Sequence, residues 1–153
     1  MPYFAQGAPP NIQNIDELRQ WAEEEFRKIA THVADVEGPW LAYTPSLSVD
    51  VGSLTSASAV GRYKQIGKTV SVEAVVTITT VGTASSWLNV SLPPIGVAKA
   101  DYTFVVSETN VVAFMGFGRV AAGASVVKIL RYDNAVYMGN GYRLVLSGTY
   151  ELA

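Results

Sequence analysis

The sequence predicts a mainly β protein, in which an antiparallel β-sandwich of jelly-roll type follows one N-terminal α-helix that forms a trimeric coiled coil. Apolar residues alternate with period two from Trp40 onward, and turn residues separate the alternating stretches. Helical three- and four-residue spacing occurs once, before that point. The predicted organisation is an extended arm (1–13), a coiled-coil helix (14–38) and a β-sandwich domain (39–153).

The composition argues against several functional classes. The 153 residues include no cysteine and one histidine, so we expect no disulfide, no thiolate nucleophile, no metal site and no other cofactor. The net charge of −2, the pI near 5.3 and the lack of a basic run argue against nucleic-acid binding. No apolar run approaches the roughly 18 residues of a membrane span, and the N-terminus lacks the pattern of a signal peptide. Membrane insertion is therefore not expected.

The first 13 residues are predicted to form an extended arm. Pro9 and Pro10 lack backbone N–H donors and favour extended conformations, which excludes a helix at this position. The aromatic pair Tyr3 and Phe4 either docks into a partner or frays with the terminus. The sequence leaves both readings open.

The helix is predicted to begin after Asn14, which has the capping-box spacing to Glu17, and to end at Gly38. Its apolar stripe has the spacing of a coiled-coil seam with one four-residue stutter, and isoleucine at two of the seam positions favours three strands. The seam consists of Ile15, Leu18, Ala22, Phe26, Ile29, Val33 and Val36. The alternative is an ordinary amphipathic helix that packs on its own β domain.

The polar face of this helix is predicted to carry two ion pairs with four-residue spacing, Glu23 with Arg27 and Glu24 with Lys28. Such pairs stabilise an exposed helix by a few tenths of a kcal/mol. We therefore expect this face to stay in water.

Eight or nine strands are predicted in the β domain. They lie near residues 40–43, 59–66, 69–81, 87–92, 102–107, 111–120, 126–132, 135–138 and 142–152. Only 14 of the 115 residues from 39 to 153 are charged, and segments such as 111–115 are apolar on both faces. An outer face of this kind becomes an interface between the subunits of an oligomer.

No enzyme signature was found in the sequence. The six acidic residues of the β domain lie mostly at predicted turns or strand ends, where acids are normally solvated, and no spacing pairs them for acid–base catalysis. Gly116 and Gly118 lack the third glycine and the following helix of a dinucleotide loop, and are more typical of a bulge or close packing. His32 lies beside the seam, where it is either an ion ligand shared by three copies or a solvated side chain. We expect no enzymatic activity.

Aromatic residues near strand ends are the candidates for binding a ligand, because their rings stack on sugar rings. The alternative is that they fill the core or a subunit interface. The possible stacking residues are Trp87, Tyr132, Tyr137 and Tyr142.

Four segments carry a resemblance to a known class of protein. They are Trp40-Leu41-Ala42-Tyr43-Thr44-Pro45, Gly61-Arg62-Tyr63-Lys64-Gln65-Ile66-Gly67-Lys68-Thr69-Val70, Leu92-Pro93-Pro94 and Ser147-Gly148-Thr149-Tyr150-Glu151. Through them the chain resembles small virion proteins of tailed bacteriophages, namely short tail fibres, head fibres and tail-fibre tip domains. Residues 14–29 are also similar to the N-terminal helices of small phage structural proteins.

This resemblance implies a homotrimer in the virion, assembled in the host cytoplasm. Its N-terminal segment, with Tyr3, Phe4, Pro9 and Pro10, would attach to other virion proteins, and its β-sandwich would contact a glycan or protein of the host surface. The first alternative is a capsid decoration protein that stabilises the shell. A glycan-cleaving enzyme is a third reading, which the absence of paired acids disfavours.

Overall fold

The computed structural model of the chain describes residues 14–153, with the side chains of residues 35–37 left out. The predicted anchoring residues Tyr3, Phe4, Pro9 and Pro10 lie outside this part of the chain. The chain divides into two compact units, Met1–Pro39 and Trp40–Ala153, and each unit is described by itself.

One helix, α1, spans Ile15–Glu37 and has 23 residues. Asn14 is its N-cap, because the Asn14 side-chain oxygen accepts hydrogen bonds from the N–H groups of Asp16 at 3.2 Å and Glu17 at 3.4 Å. The helix ends before Gly38, as the sequence predicts. No helix within residues 14–153 has both the length and the apolar character needed to cross a membrane.

The ion pairs on α1 differ from the predicted ones. Glu24 pairs with Arg27 at 4.0 Å and Glu25 pairs with Lys28 at 2.8 Å, so both pairs have three-residue spacing. The predicted pairing at four residues was wrong because side chains three apart on a helix are equally close neighbours, and the sequence alone does not choose between them.

The β unit has nine strands. They are β1 (Leu41–Tyr43), β2 (Leu47–Val49), β3 (Ser56–Ile66), β4 (Thr69–Thr80), β5 (Leu88–Ser91), β6 (Tyr102–Glu108), β7 (Met115–Val120), β8 (Val126–Arg131) and β9 (Arg143–Glu151). The sequence did not predict β2, whose three residues contain a single alternation. The predicted strand at 135–138 does not form, and 111–114 is a loop that precedes β7.

All nine strands belong to one antiparallel sheet, in the order β1-β3-β4-β9-β6-β7-β8-β5-β2. The sheet is curled, so that one face is enclosed as the core. The two edge strands β1 and β2 are consecutive in the chain, and the segment between them is held by Ser91, whose hydroxyl accepts from the N–H of Ser46 at 2.8 Å. The antiparallel β domain is thus confirmed, whereas two separate sheets with jelly-roll topology are not shown.

The enclosed face is filled by aliphatic and aromatic side chains. The largest of those that are fully buried are Tyr137, Tyr150, Phe104, Ile78, Leu88, Ile129, Leu144 and Leu146. Glycine provides space for the rings: a Cβ built on Gly148 would lie 2.3 Å from the Phe104 ring, and one on Gly118 would lie 3.2 Å from the Phe104 Cβ. Phe104 is therefore seated between two glycines on neighbouring strands, which confirms the close-packing reading of Gly118.

Replacing Gly148 with alanine tests this packing. We expect G148A to lower the free energy of unfolding by about 1–3 kcal/mol, because the new methyl group collides with a ring that has no free volume around it. Ser147→Ala, on the exposed face of the same strand, is the matched control and should change stability by less than about 0.5 kcal/mol. Urea denaturation of both variants at one protein concentration makes the comparison, and equal effects would contradict the packing assigned to Gly148.

Candidate functional site

The apolar stripe of α1 is largely exposed in the single chain. Ile15 and Phe26 are each 70% exposed, and Ile29 and Val33 are exposed as well. Leu18 and Ala22 are half-buried, and the side chain of Val36 is not described. Helix stability in water comes mainly from burial of such a stripe. The exposed seam is therefore a candidate surface for association.

A second face of α1 contains residues that the predicted seam omits. Trp21 is half-buried and Glu25 is 6% exposed. The Glu25 carboxylate accepts a hydrogen bond from the Lys28 ammonium at 2.8 Å. His32 is half-buried on the same helix.

The most unusual polar group of the β unit is the carboxylate of Glu108, at the end of β6. Glu108 is 1% exposed, although acids in this domain were expected to sit in solvent. Its Oε2 accepts hydrogen bonds from the backbone N–H groups of Val111, Val112 and Ala113 at 2.7–3.1 Å. Its Oε1 accepts from the N–H groups of Asn110 at 2.7 Å and Arg143 at 3.1 Å. Five backbone donors thus surround one buried side chain.

These hydrogen bonds decide the charge of Glu108. Burial by itself raises the pKa of the carboxyl group, because a charge is unfavourable away from water. The N–H groups that point at it stabilise the anion more strongly and lower the pKa to about 2. Glu108 is therefore ionised at neutral pH and holds residues 109–114, the Glu108 loop, in one conformation.

Tyr137 supports the same loop from the core. Its hydroxyl accepts from the N–H of Glu108 at 3.0 Å and donates to the carbonyl of Phe114, so it joins the two ends of the Glu108 loop. The Tyr137 ring is 1% exposed and packs edge-on against the half-buried Tyr142 at 6.2 Å. Its faces are therefore not open to a ligand. This corrects the stacking role that the sequence suggested, because residues 135–138 form no strand and Tyr137 turns inward.

The Glu108 loop carries apolar side chains into solvent. Tyr132 is 66% exposed, and its ring meets the exposed ring of Phe114 edge-on at 6.4 Å. The Arg131 guanidinium lies 6.0 Å from the Phe114 centroid and 5.8 Å from the Tyr132 centroid, and it is paired with Asp133. With Val111 and Met115, both exposed, these rings form what we call the loop surface: Val111, Phe114, Met115 and Tyr132.

The backbone of this loop is strained. Ala113 has φ of 53°, in the left-handed region that non-glycine residues rarely adopt. Such a conformation costs of order 1–3 kcal/mol and persists only where its surroundings impose it. The hydrogen bond from the Ala113 N–H to Glu108 supplies that constraint. The backbone path of the Glu108 loop is therefore fixed within the single chain.

Trp87 lies apart from the loop surface. It is partly exposed and lines a pocket of about 290 Å³ with residues that include Arg119, Lys128 and Leu130. The Lys128 ammonium lies 5.4 Å from the centre of the Trp87 ring and pairs with Asp50 at 3.0 Å. Of the four predicted stacking residues, the structure thus groups Tyr132, Tyr137 and Tyr142 around the Glu108 loop and places Trp87 in another pocket.

A third apolar surface runs across the outer face of the sheet. The register of the strands places Val60 beside Val75 and Val75 beside Val145. Two residues after Val145 on β9, Ser147 pairs with Val105 of β6. Val105 in turn pairs with Phe117 of β7, and Phe117 pairs with Leu130 of β8. We call the first five of the apolar residues in these rows the outer band: Val60, Val75, Val145, Val105 and Phe117. It extends over β3, β4, β9, β6 and β7, and Leu130 on β8, the next residue in the row, is already buried at 6% exposure.

The other acidic residues of the β unit form ion pairs at the surface. Glu73 pairs with Arg62 at 2.6 Å and Glu151 pairs with Lys99 at 2.7 Å. Within residues 14–153, no three His, Asp or Glu side chains come together in a way that could hold a metal ion.

Comparison with known proteins gives no relative: no family model, no curated protein and no solved structure matches the chain.

Replacing Glu108 with glutamine keeps the side-chain shape and removes the charge that holds the loop. We expect E108Q to lower the free energy of unfolding at pH 7 by about 2–3 kcal/mol, because one neutral oxygen cannot satisfy the buried N–H groups. Hydrogen exchange at Val111, Val112 and Ala113 should accelerate. Glu73→Gln removes an exposed ion pair instead and should cost less than about 1 kcal/mol.

The same variant gives a pH test. The pKa of Glu108 in the folded chain lies below its ordinary value of 4.5, so the unfolded chain takes up the proton first as the pH falls. The stabilisation is complete above pH 4.5 and is lost as the pH falls to about 2. In urea denaturation over this range the unmodified chain should lose more stability than E108Q. An identical pH dependence would contradict the role given to the carboxylate.

Proposed function

We propose that this chain is a structural protein of a tailed-bacteriophage virion, without enzymatic activity, that assembles as a homotrimeric fibre or appendage and contacts the host surface. The observation that carries the proposal is the exposed stripe of α1. Burying an exposed phenylalanine or isoleucine side chain contributes roughly 1.5–3 kcal/mol, so a seam of four exposed residues gives a strong drive to association. The virion location comes from the resemblance in sequence.

A trimeric coiled coil fits the stripe better than a dimer. Isoleucine occurs at both Ile15 and Ile29 of the seam, and a seam of this composition favours three helices. The finer feature expected of the β domain, a sandwich of jelly-roll type, belongs to this proposal as well.

The loop surface is the proposed contact with the host. Its rings are amphipathic or apolar, its backbone is fixed by Glu108, and a preorganised surface loses little conformational entropy on binding. Tyr132 is 66% exposed, and an aromatic ring of this kind packs on a sugar or on an apolar protein side chain. The arm at 1–13, with Tyr3, Phe4, Pro9 and Pro10, is the proposed attachment to other virion proteins.

The second candidate is a capsid decoration protein. Exposed apolar surfaces on both units also suit a protein that binds between capsid subunits. The two candidates differ in what the protein stabilises, since only a decoration protein raises the melting temperature of the shell.

Charged substitutions in the seam test the trimer. We expect F26D/I29D to be monomeric by light scattering, because each aspartate would be buried in the seam at a cost of several kcal/mol. Q20D/T31D is the matched control: it adds the same two charges to exposed positions on the opposite face of α1 and should keep the mass of the unmodified chain. Equal masses for F26D/I29D and the control would contradict the seam.

Removal of the arm tests attachment. Deleting residues 1–13 should leave the trimer intact, because the seam starts after the arm, and should abolish incorporation into particles. The measurement is the amount of protein in purified virions, with melting of bare capsids in the presence of added protein as the companion. Normal incorporation of the shortened chain would contradict anchoring by the arm. A raised capsid melting temperature would select the decoration protein.

A further inference from the structure

We infer that the outer band is covered by the β unit of a second copy of this chain. The inference rests on the proposed homotrimer and goes beyond it, since a helical seam alone would leave the β units independent. It assigns a second interface, made by sheet against sheet, to residues outside α1.

The outer band is too apolar and too exposed to be an ordinary solvent face. Val60 is 67% exposed and Val105 is 57% exposed, in a row with the partly buried Val75, Val145 and Phe117. The opposite face of the same strands already forms the core. Exposed apolar side chains that lie close together on one face often mark a surface that another protein covers.

The band includes a groove of about 540 Å³, lined by Val60, Val75 and Val145 and also by Arg62, Glu73 and Ser147. The two charged residues among them neutralise each other, because Arg62 pairs with Glu73 at 2.6 Å. The groove therefore suits an apolar protein surface.

The short connection between α1 and the β unit favours another copy of this chain as the protein that covers the outer band. Only residues 38–40 separate the end of α1 from the start of β1, and this connection spans at most about 14 Å. Helices packed in a coiled coil lie about 8–10 Å apart, and a domain of about 100 residues has a radius of gyration of about 13 Å. Three β units tethered in this way are held at a spacing comparable with their own width.

The outer band also begins where the connection of residues 38–40 enters the β unit. Trp40, the last residue of the connection, is partly exposed and lies against Arg62, whose guanidinium is 5.0 Å from the centre of the Trp40 ring. Arg62 and Val60 share the outer face of β3. The chain thus enters the β unit beside the β3 end of the band.

Because this connection is short, even a weak contact between β units is enough to keep them together. Linked modules meet at an effective concentration on the order of 1 mM, so a sheet contact with Kd on the order of 0.1 mM would be closed about ten times more often than open.

In a closed ring of three copies the contact joins two different patches. The β3 end of one band therefore meets the β6–β7 end of the next.

Thiol labelling tests the interface, because the chain has no cysteine of its own. We would make Val105→Cys and Val60→Cys as single variants, in the otherwise unmodified chain and in F26D/I29D, and measure the rate of reaction with a maleimide-linked polyethylene glycol. Thr103→Cys and Ser58→Cys are the matched controls, since each is exposed on the same face of the same strand two residues away.

Both band cysteines should react about tenfold more slowly in the trimer than in F26D/I29D, and both controls should react at similar rates in the two backgrounds. A trimer by light scattering with no protection at Val60 or at Val105 would overturn the inference and leave the helical trimer standing. A monomeric unmodified chain would overturn the proposed homotrimer, and the inference with it.

Discussion

The structure depends on a sheet that carries apolar residues on both of its faces. The inner face closes into a core when the sheet curls, which removes Val70, Val72, Val76 and their neighbours from water within one chain. In a single copy, apolar side chains of the outer face remain exposed to water. The seam of α1 is exposed to water as well. Two surfaces on separate units of the chain are therefore exposed in the same way, and the proposed symmetric association would cover both.

The Glu108 loop follows a different principle. An ionised carboxylate is expensive to bury unless hydrogen bonds to it are nearly complete. Here the backbone supplies them, so the charge fixes the path of the four consecutive residues 110–113, and Tyr137 fixes the point where the loop returns to the sheet. Polar groups in the interior thereby hold apolar groups of the Glu108 loop at the surface.

The local features of the fold could be predicted from the sequence. Asn14 and Gly38 bound the helix because capping depends on residues adjacent to the helix ends, and most strands of the β unit appear where period-two alternation is longest. Strand order could not be predicted in the same way. One curled sheet and two packed sheets place the same residues inside, so alternation does not separate them.

The most informative residue of the candidate site was also the hardest to recognise. All the hydrogen bonds to the Glu108 carboxylate come from backbone N–H groups, which every residue except proline carries. A pattern of side-chain types in the sequence therefore cannot predict this cluster. The sequence offers Tyr137 both as a possible stacking residue near a strand end and as a core residue, and the structure places it in the core, where its hydroxyl group accepts a hydrogen bond from the N–H of Glu108. The exposed seam, in contrast, is a pattern of side chains, and its predicted members that are described lie on one face of α1.

The molar mass of the unmodified chain in solution is the most direct test of shared burial among copies. Sedimentation equilibrium over a wide range of concentration should give three times the 16.4 kDa of one chain. This mass should persist on dilution until the helices of the seam dissociate. A mass of one chain at the highest concentration, with a cooperative unfolding transition, would contradict the assembly proposed here.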